Sequence, residues 1–259
     1  MDEVGTGFGG WSYHVATDTW SGNGALVRSA DLNGVGKIGN RLYFTGGESC
    51  CDEFFRTWNT TWAYEPATRR LLQKANTPKA TKYGVSGAIG GKLYVLPGYC
   101  SGESVDPGHC AVGQFTRQLY RYDPATDTWI TRRQAPHNHA LGGAAVIGDK
   151  FYVVGGSDRN AHLDVYDPTT NAWRTRAPIP TPGDRLFAAP LLSKLFVLSW
   201  SFPSGGPAVA KAFLYDPATD KWTPRAAPPV RAGPIVNVKL DGQPHLFMAG
   251  MQSSFLYTP

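Results

Sequence analysis

The cations and imidazoles Arg28, Lys79, Lys82, His137, His139, Arg185 and Arg231 share a placement. Each lies in the approach to a short run of small residues. Brought together, they would make a site for an anion, because guanidinium and ammonium groups supply charge and the planar Arg fork matches a carboxylate or phosphate. Glu48 and Asp158 follow the glycine pairs Gly46-Gly47 and Gly155-Gly156 and are placed to pair with those cations. His137 and His139 are alternate residues, so in an extended segment their rings point the same way, as two ligands of a metal would. A third ligand is not evident, since His109 or Glu48 could serve only if their loops fold inward, and no metal or other cofactor is expected. The plainer reading of the whole set is solvated loop charge in a chain of net charge +5.

Motifs for covalent chemistry are missing from the sequence. It holds no G-x-S-x-G, no H-E-x-x-H and no phosphate-binding glycine loop, and "GTGFGG" at 5–10 precedes no helical pattern. No catalytic residue is assigned. Basic residues never run beyond the pairs Arg69-Arg70 and Arg132-Arg133, so the concentrated stripe of a nucleic-acid binder is not there. No apolar stretch approaches the roughly 18 residues of a membrane span, and the N-terminus lacks the basic and apolar regions of a signal peptide. Cys50, Cys51, Cys100 and Cys110 all fall in two loop-like stretches. Clustered, even-numbered cysteines of this kind suggest disulfides and an oxidising compartment, extracellular or periplasmic. Three pairings are open. Asn59-Thr60-Thr61 fits a glycosylation sequon.

The elements that must position these groups are short strands. Thirty Gly, twenty Pro, eight Trp and twelve Tyr suit tight turns and half-buried strands better than helices. "YDPATDTW" at 122–129 recurs as "YDPTTNAW" at 166–173 and "YDPATDKW" at 215–222. "YEPATRRL" at 64–71 and "YHVATDTW" at 13–20 are further copies, and "YTP" at 257–259 begins another. Between them lie apolar runs: "NRLYFTGG" (40–47), "GKLYVLPG" (91–98), "DKFYVVGG" (149–156), "SKLFVLSW" (193–200) and "PHLFMAG" (244–250). A weaker run of small residues precedes each, such as "ALGGAAVI" at 140–147. One unit thus holds four strands: a (small residues), b (the apolar run), c (ending at Tyr) and d (starting at Trp). Small residues suit strands crowded round an axis, and Tyr and Trp suit a wedge that widens outward.

A glycine pair after an apolar run, then Tyr-Asp-Pro, then Trp, repeated about every 50 residues, resembles the Kelch repeat. The resemblance spans about residues 13–259. It implies an all-β propeller forming a single domain over 1–259. Pro97, Ser199-Trp200 and Leu71 depart from the pattern locally. Five a–b pairs and five d strands predict five blades of four antiparallel strands, with the N-terminal strand closing the last blade. One c-type strand is left over, around Tyr13 or Tyr257, and six blades is the alternative count.

In such a propeller the b–c and d–a connections share one face. The long stretches 48–60 and 99–116 are b–c loops and the cations above lie in d–a connections, so that face is the expected binding surface. Its candidate ligand-binding residues are Arg28, Lys82, His137, His139, Arg185, Arg231, Glu48 and Asp158. The function this implies is non-catalytic recognition of an anionic small molecule, such as an acidic sugar, or of an acidic protein segment, by a monomer. The alternative is a sugar-modifying enzyme of the mutarotase kind known among bacterial Kelch propellers.

Overall fold

The computed structural model of the chain describes residues 8–14, 17, 19–27, 32, 34–48, 57–100, 113–204, 206–228, 232–250 and 254–259. Apart from one 3-10 turn at Ser157–Arg159, the regular structure described is all strand. The first blade holds β3 (Gly34–Ile38), β4 (Arg41–Thr45), β5 (Thr61–Glu65) and β6 (Arg70–Lys74). The second holds β7 (Val85–Ile89), β8 (Lys92–Leu96), β9 (Tyr120–Asp123) and β10 (Thr128–Thr131). The third holds β11 (Gly143–Ile147), β12 (Lys150–Val154), β13 (Leu163–Asp167) and β14 (Ala172–Arg176). The fourth holds β15 (Arg185–Leu191), β16 (Lys194–Ser201), β17 (Val209–Asp216) and β18 (Lys221–Arg225). Each of these is an antiparallel sheet whose strands pair in sequence order. They are the a, b, c and d strands expected from the repeat.

The fifth blade contributes β19 (Ala232–Leu240), β20 (Gln243–Gly250) and β21 (Ser254–Tyr257), paired in that order. At the other end of the chain, β1 (Phe8–His14) and β2 (Thr19–Val27) pair with each other as a hairpin. Its register sets Tyr13 opposite Trp20. That is the offset seen for Tyr122 on Trp129, Tyr166 on Trp173 and Tyr215 on Trp222. The hairpin is therefore a c–d pair carried at the front of the chain. Both candidates for the left-over strand are formed, β1 against β2 and β21 against β20.

The core lies between blades rather than within one. Tyr43, Leu93, Val95 and Tyr122 pack where the first blade meets the second. Tyr94, Phe151, Val153 and Tyr166 fill the next wedge, Tyr152, Leu163, Val197 and Tyr215 the third, and Phe196, Leu198, Ile235 and Leu246 the fourth. Near the axis the strands come too close for side chains of any size. A Cβ on Gly143 would lie 2.9 Å from Cβ of Ala188 in the neighbouring blade, which is why strand a is built of small residues.

The Tyr-to-Trp segment has a second task, which explains its conserved spacing within the chain. Tyr122 donates to Oδ1 of Asp127 (2.6 Å), the same oxygen accepts the amide of Ala75 (2.9 Å), and Trp129 Nε1 donates to the Ala75 carbonyl (2.8 Å). One residue of the preceding d–a connection is thus held at both its backbone groups. Tyr166, Asn171 and Trp173 hold Arg133 in the same way, and Tyr215, Asp220 and Trp222 hold Ala177. Burial, reinforced by the hydrogen bond to the acid, drives the Tyr122 and Tyr215 hydroxyls far above their ordinary range, so they remain donors. In the first blade Arg69 and Leu71 occupy the places of the acid and the indole.

Candidate functional site

The glycine pair that ends β12 is where the site begins. Gly156 has φ 148°, and a Cβ there would lie 2.8 Å from the Asn138 carbonyl oxygen and 2.9 Å from Cα of His139. The absence of a side chain lets the connection between the second and third blades lie directly on the end of β12. His139 is thereby turned inward, 1% exposed, with Nδ1 2.6 Å from the Gly155 carbonyl.

Its other nitrogen, Nε2, meets Oδ2 of Asp164 at 3.0 Å. Asp164 sits on β13 and is fully buried. At the matching place, two residues before the repeat Tyr, the other units carry Trp11, Trp62, Tyr120, Phe213 and Phe255. Only the third unit puts a carboxylate there. A buried charge must be paired and hydrogen-bonded, and Asp164 is both: Oδ1 accepts from Thr175 Oγ1 (2.7 Å) and Oδ2 also accepts from His137 Nδ1 (2.9 Å). Burial pushes its pKa up, but hydrogen bonds from His139, Thr175 and His137 and the charge on His139 outweigh this and hold it at about 2.

The network orients both rings. His139 faces a carbonyl on one side and a carboxylate on the other, so each of its nitrogens meets an acceptor. His137 gives Nδ1–H to Asp164, so in its neutral form Nε2, across the ring, carries a lone pair. His137 is part-exposed (31% of its side chain). The ring of His162 stacks on it, centroids 3.5 Å apart and planes 9° from parallel. Burial, followed by the charge of His137, holds the His162 imidazole below its ordinary range.

These rings form one wall of a cleft of about 440 Å³, whose lining includes Arg117, Asn138, Ser157, Asp158 and Asn160. Three loops converge there: 117 from the b–c connection of the second blade, 136–138 from the next d–a connection, and 157–162 from the b–c connection of the third. They are cross-braced. Arg117 Nη1 donates to the Pro136 carbonyl (2.6 Å), Asn138 Nδ2 to Ser157 Oγ (2.9 Å) and Asn160 Nδ2 to the Asn138 carbonyl (2.6 Å). Asp158 and Arg159 both adopt left-handed backbone, φ 61° and 52°, which is sparsely populated by residues with side chains. The Arg159 guanidinium forks onto Asp184 at 2.9 and 3.3 Å. Chemically, the cleft offers amide and hydroxyl groups, an imidazole nitrogen, one guanidinium and one exposed carboxylate.

Of the residues singled out in the sequence, the structure brings His137, His139 and Asp158 to this cleft, with His139 behind its wall. Lys82 is elsewhere: it is buried and ion-paired with buried Glu48, so those two charges neutralise each other within the fold. Arg185 is half-buried, with its guanidinium over the Phe187 ring at 5.5 Å. Lys79 is half-buried. Arg28 and Arg231 lie outside the described residues, as do Cys50, Cys51 and Cys110. Cys100 is buried and is not a free thiol. The two histidines read as an alternate pair do point the same way, but onto Asp164. Among the described residues no group of three His, Cys, Asp or Glu could hold a metal, and no helix is long and apolar enough to cross a membrane. Arg117, Asp164 and His162 were not singled out.

Comparisons with known proteins agree on the architecture. The family model for the Kelch motif matches residues 80–132 and 140–180, most of the second and third units. Among solved structures, one titled "Structure of YjhT" superimposes with a TM-score of 0.68 at 15% sequence identity, covering 93% of this chain and 88% of that one. No curated protein matches the chain in sequence.

Proposed function

Since the chain is a Kelch-repeat β-propeller, we propose that it is a recognition module whose loop-rich face binds a small acidic sugar in the cleft between the second and third blades. The observation that carries this reading is the convergence of three braced loops on one polar cleft of about 440 Å³, a volume within the roughly 300–1,000 Å³ usual for small-ligand sites. Arg117 is the anchor for a carboxylate, while Asn138, Ser157 and Asn160 suit ring hydroxyls. An acidic protein segment is the less favoured ligand, because the cations expected to form a broad basic ring are in part paired inside the fold.

Other parts of the proposal have their own support. Cys100, buried and without a free thiol, fits a disulfide and hence an extracellular or periplasmic setting. The His137–Asp164 pair favours a second reading, a sugar-modifying enzyme, because an imidazole held by a carboxylate is a general base.

The test is isothermal titration of the protein with D-glucuronate, alone and as Arg117→Gln. A charge-assisted hydrogen bond to a carboxylate contributes about 1.5–3 kcal/mol, so the variant should bind at least roughly tenfold more weakly. Equal affinities would remove Arg117 and its cleft from the account.

A further inference from the structure

Several charged and titratable groups face the cleft. The connection before the third blade brings His139, and β13 brings Asp164, its partner at 3.0 Å. The loop 157–162 brings Asp158 and His162, with Arg159 tied to Asp184. The second blade brings Arg117, opposite in charge to Asp158, and β14 brings the Thr175 hydroxyl, flanked along the strand by Arg174 and Arg176.

The atom that decides what can bind is Nε2 of His137. With Nδ1–H held by Asp164, neutral His137 carries its lone pair on Nε2, on a ring that lines the cleft. A carboxylate brought against that lone pair is repelled and receives no hydrogen bond. With a proton on Nε2, the same atom becomes a charged donor, the ring gains a second charge-assisted bond, and the cleft gains one positive charge. Asp164, buried beneath the ring, stays ionised throughout the range in which imidazoles titrate. His162 sets the stoichiometry. Two imidazoliums with centroids 3.5 Å apart repel strongly, so the stack holds one proton, and the ring in contact with the carboxylate holds it.

We propose that the cleft takes up its anion together with one proton, at Nε2 of His137, so that capture strengthens as pH falls. This rests on the cleft being the anion site and adds how that site is regulated. An anion bound against Nε2 favours the protonated ring, so a ligand taken up by the neutral site carries one proton in with it.

Calorimetric titration of the full chain with D-glucuronate tests this, at several values between about pH 5.5 and pH 8, where imidazole changes charge and a carboxylate does not. Each titration is run in two buffers of different ionisation enthalpy, which counts protons directly. The expected result is uptake approaching one proton per ligand and affinity falling by up to about tenfold per pH unit through the upper part of the range. His162→Phe, which keeps a stacked ring that cannot titrate, should retain the pH dependence, and His137→Gln should abolish it. Should His137→Gln fail to fold, the two-buffer count on the unsubstituted protein decides alone. Glucuronate binding that is independent of pH and buffer would overturn proton coupling and leave the cleft as the site. No glucuronate binding anywhere in the range would overturn both.

Discussion

Replacing Asp164 with Asn should lower the stability of the protein by about 3–5 kcal/mol, the usual penalty for removing one partner of a buried ion pair. Asp164 is fully buried and accepts from three side chains, one of them the buried ring of His139. Asn offers a single neutral acceptor oxygen, so the rings of His137 and His139 lose the carboxylate they share. Chemical denaturation near neutral pH measures the loss, with Thr175→Val as a control that removes one hydrogen bond to the carboxylate and should cost about 1.5–3 kcal/mol.

The same carboxylate makes stability depend on pH. Its pKa in the folded protein, about 2, lies below the value near 4 of an unfolded Asp. A depressed carboxylate stabilises the fold fully above the unfolded value and progressively less as pH falls through the folded one. The parent should therefore lose about 2 kcal/mol from this group between about pH 4 and pH 2, and Asp164→Asn should not show that loss. A variant as stable as the parent at neutral pH would mean that the acid is not holding His139.

The second large effect is expected at Gly156. Its backbone, φ 148° and ψ −174°, lies in a region open in practice only to glycine, and holding a side-chain-bearing residue there costs about 1–3 kcal/mol. Contact adds to that strain. A Cβ at 2.8 Å from the Asn138 oxygen and 2.9 Å from His139 Cα meets backbone, which cannot rotate aside, so the connection carrying His137–His139 must lift away from β12. Gly156→Ala should cost about 3 kcal/mol in total and should also abolish glucuronate binding. Gly148 provides the comparison. It too has a positive φ, 52°, but nothing lies within 4 Å of its added Cβ, so Gly148→Ala should cost only about 1–2 kcal/mol and leave binding intact. Equal effects at the two glycines would mean that close packing of the connection on β12 is not what builds the site.

The repeat was legible because its signals are local. Tyr, a Pro- and Asp-containing turn and Trp fix a hairpin and its register within eight residues. Even the displaced copy at 13–20 shows that register, Tyr13 opposite Trp20. The face carrying the cleft was also legible, since loop position follows from strand order. Which cations stay on that face was not. Lys82 and His139 have the same positional credentials as His137, but sequence position does not say whether a side chain turns outward or into the fold, and both are buried against acids.

Arg117 and His162 were missed because the convergence of separate loops leaves no mark in the spacing of either. Asp164 did leave one. Aligning the units on their Tyr puts an aromatic two residues earlier in every copy except "LDVYD". An acid in an aromatic's place on a buried strand needs a partner, and the histidines one connection earlier in the chain were the partners to look for.

If the stacked imidazoles of His137 and His162 face the bound anion, NMR titration of the histidine ring protons with D-glucuronate should show it. The chain has six histidines, so each resonance can be assigned by single substitution. The His137 and His162 signals should move together and saturate together, His137 toward its protonated position, while His245 stays where it is. Saturable binding that leaves both rings unmoved, or that shifts only the other histidines, would contradict the account.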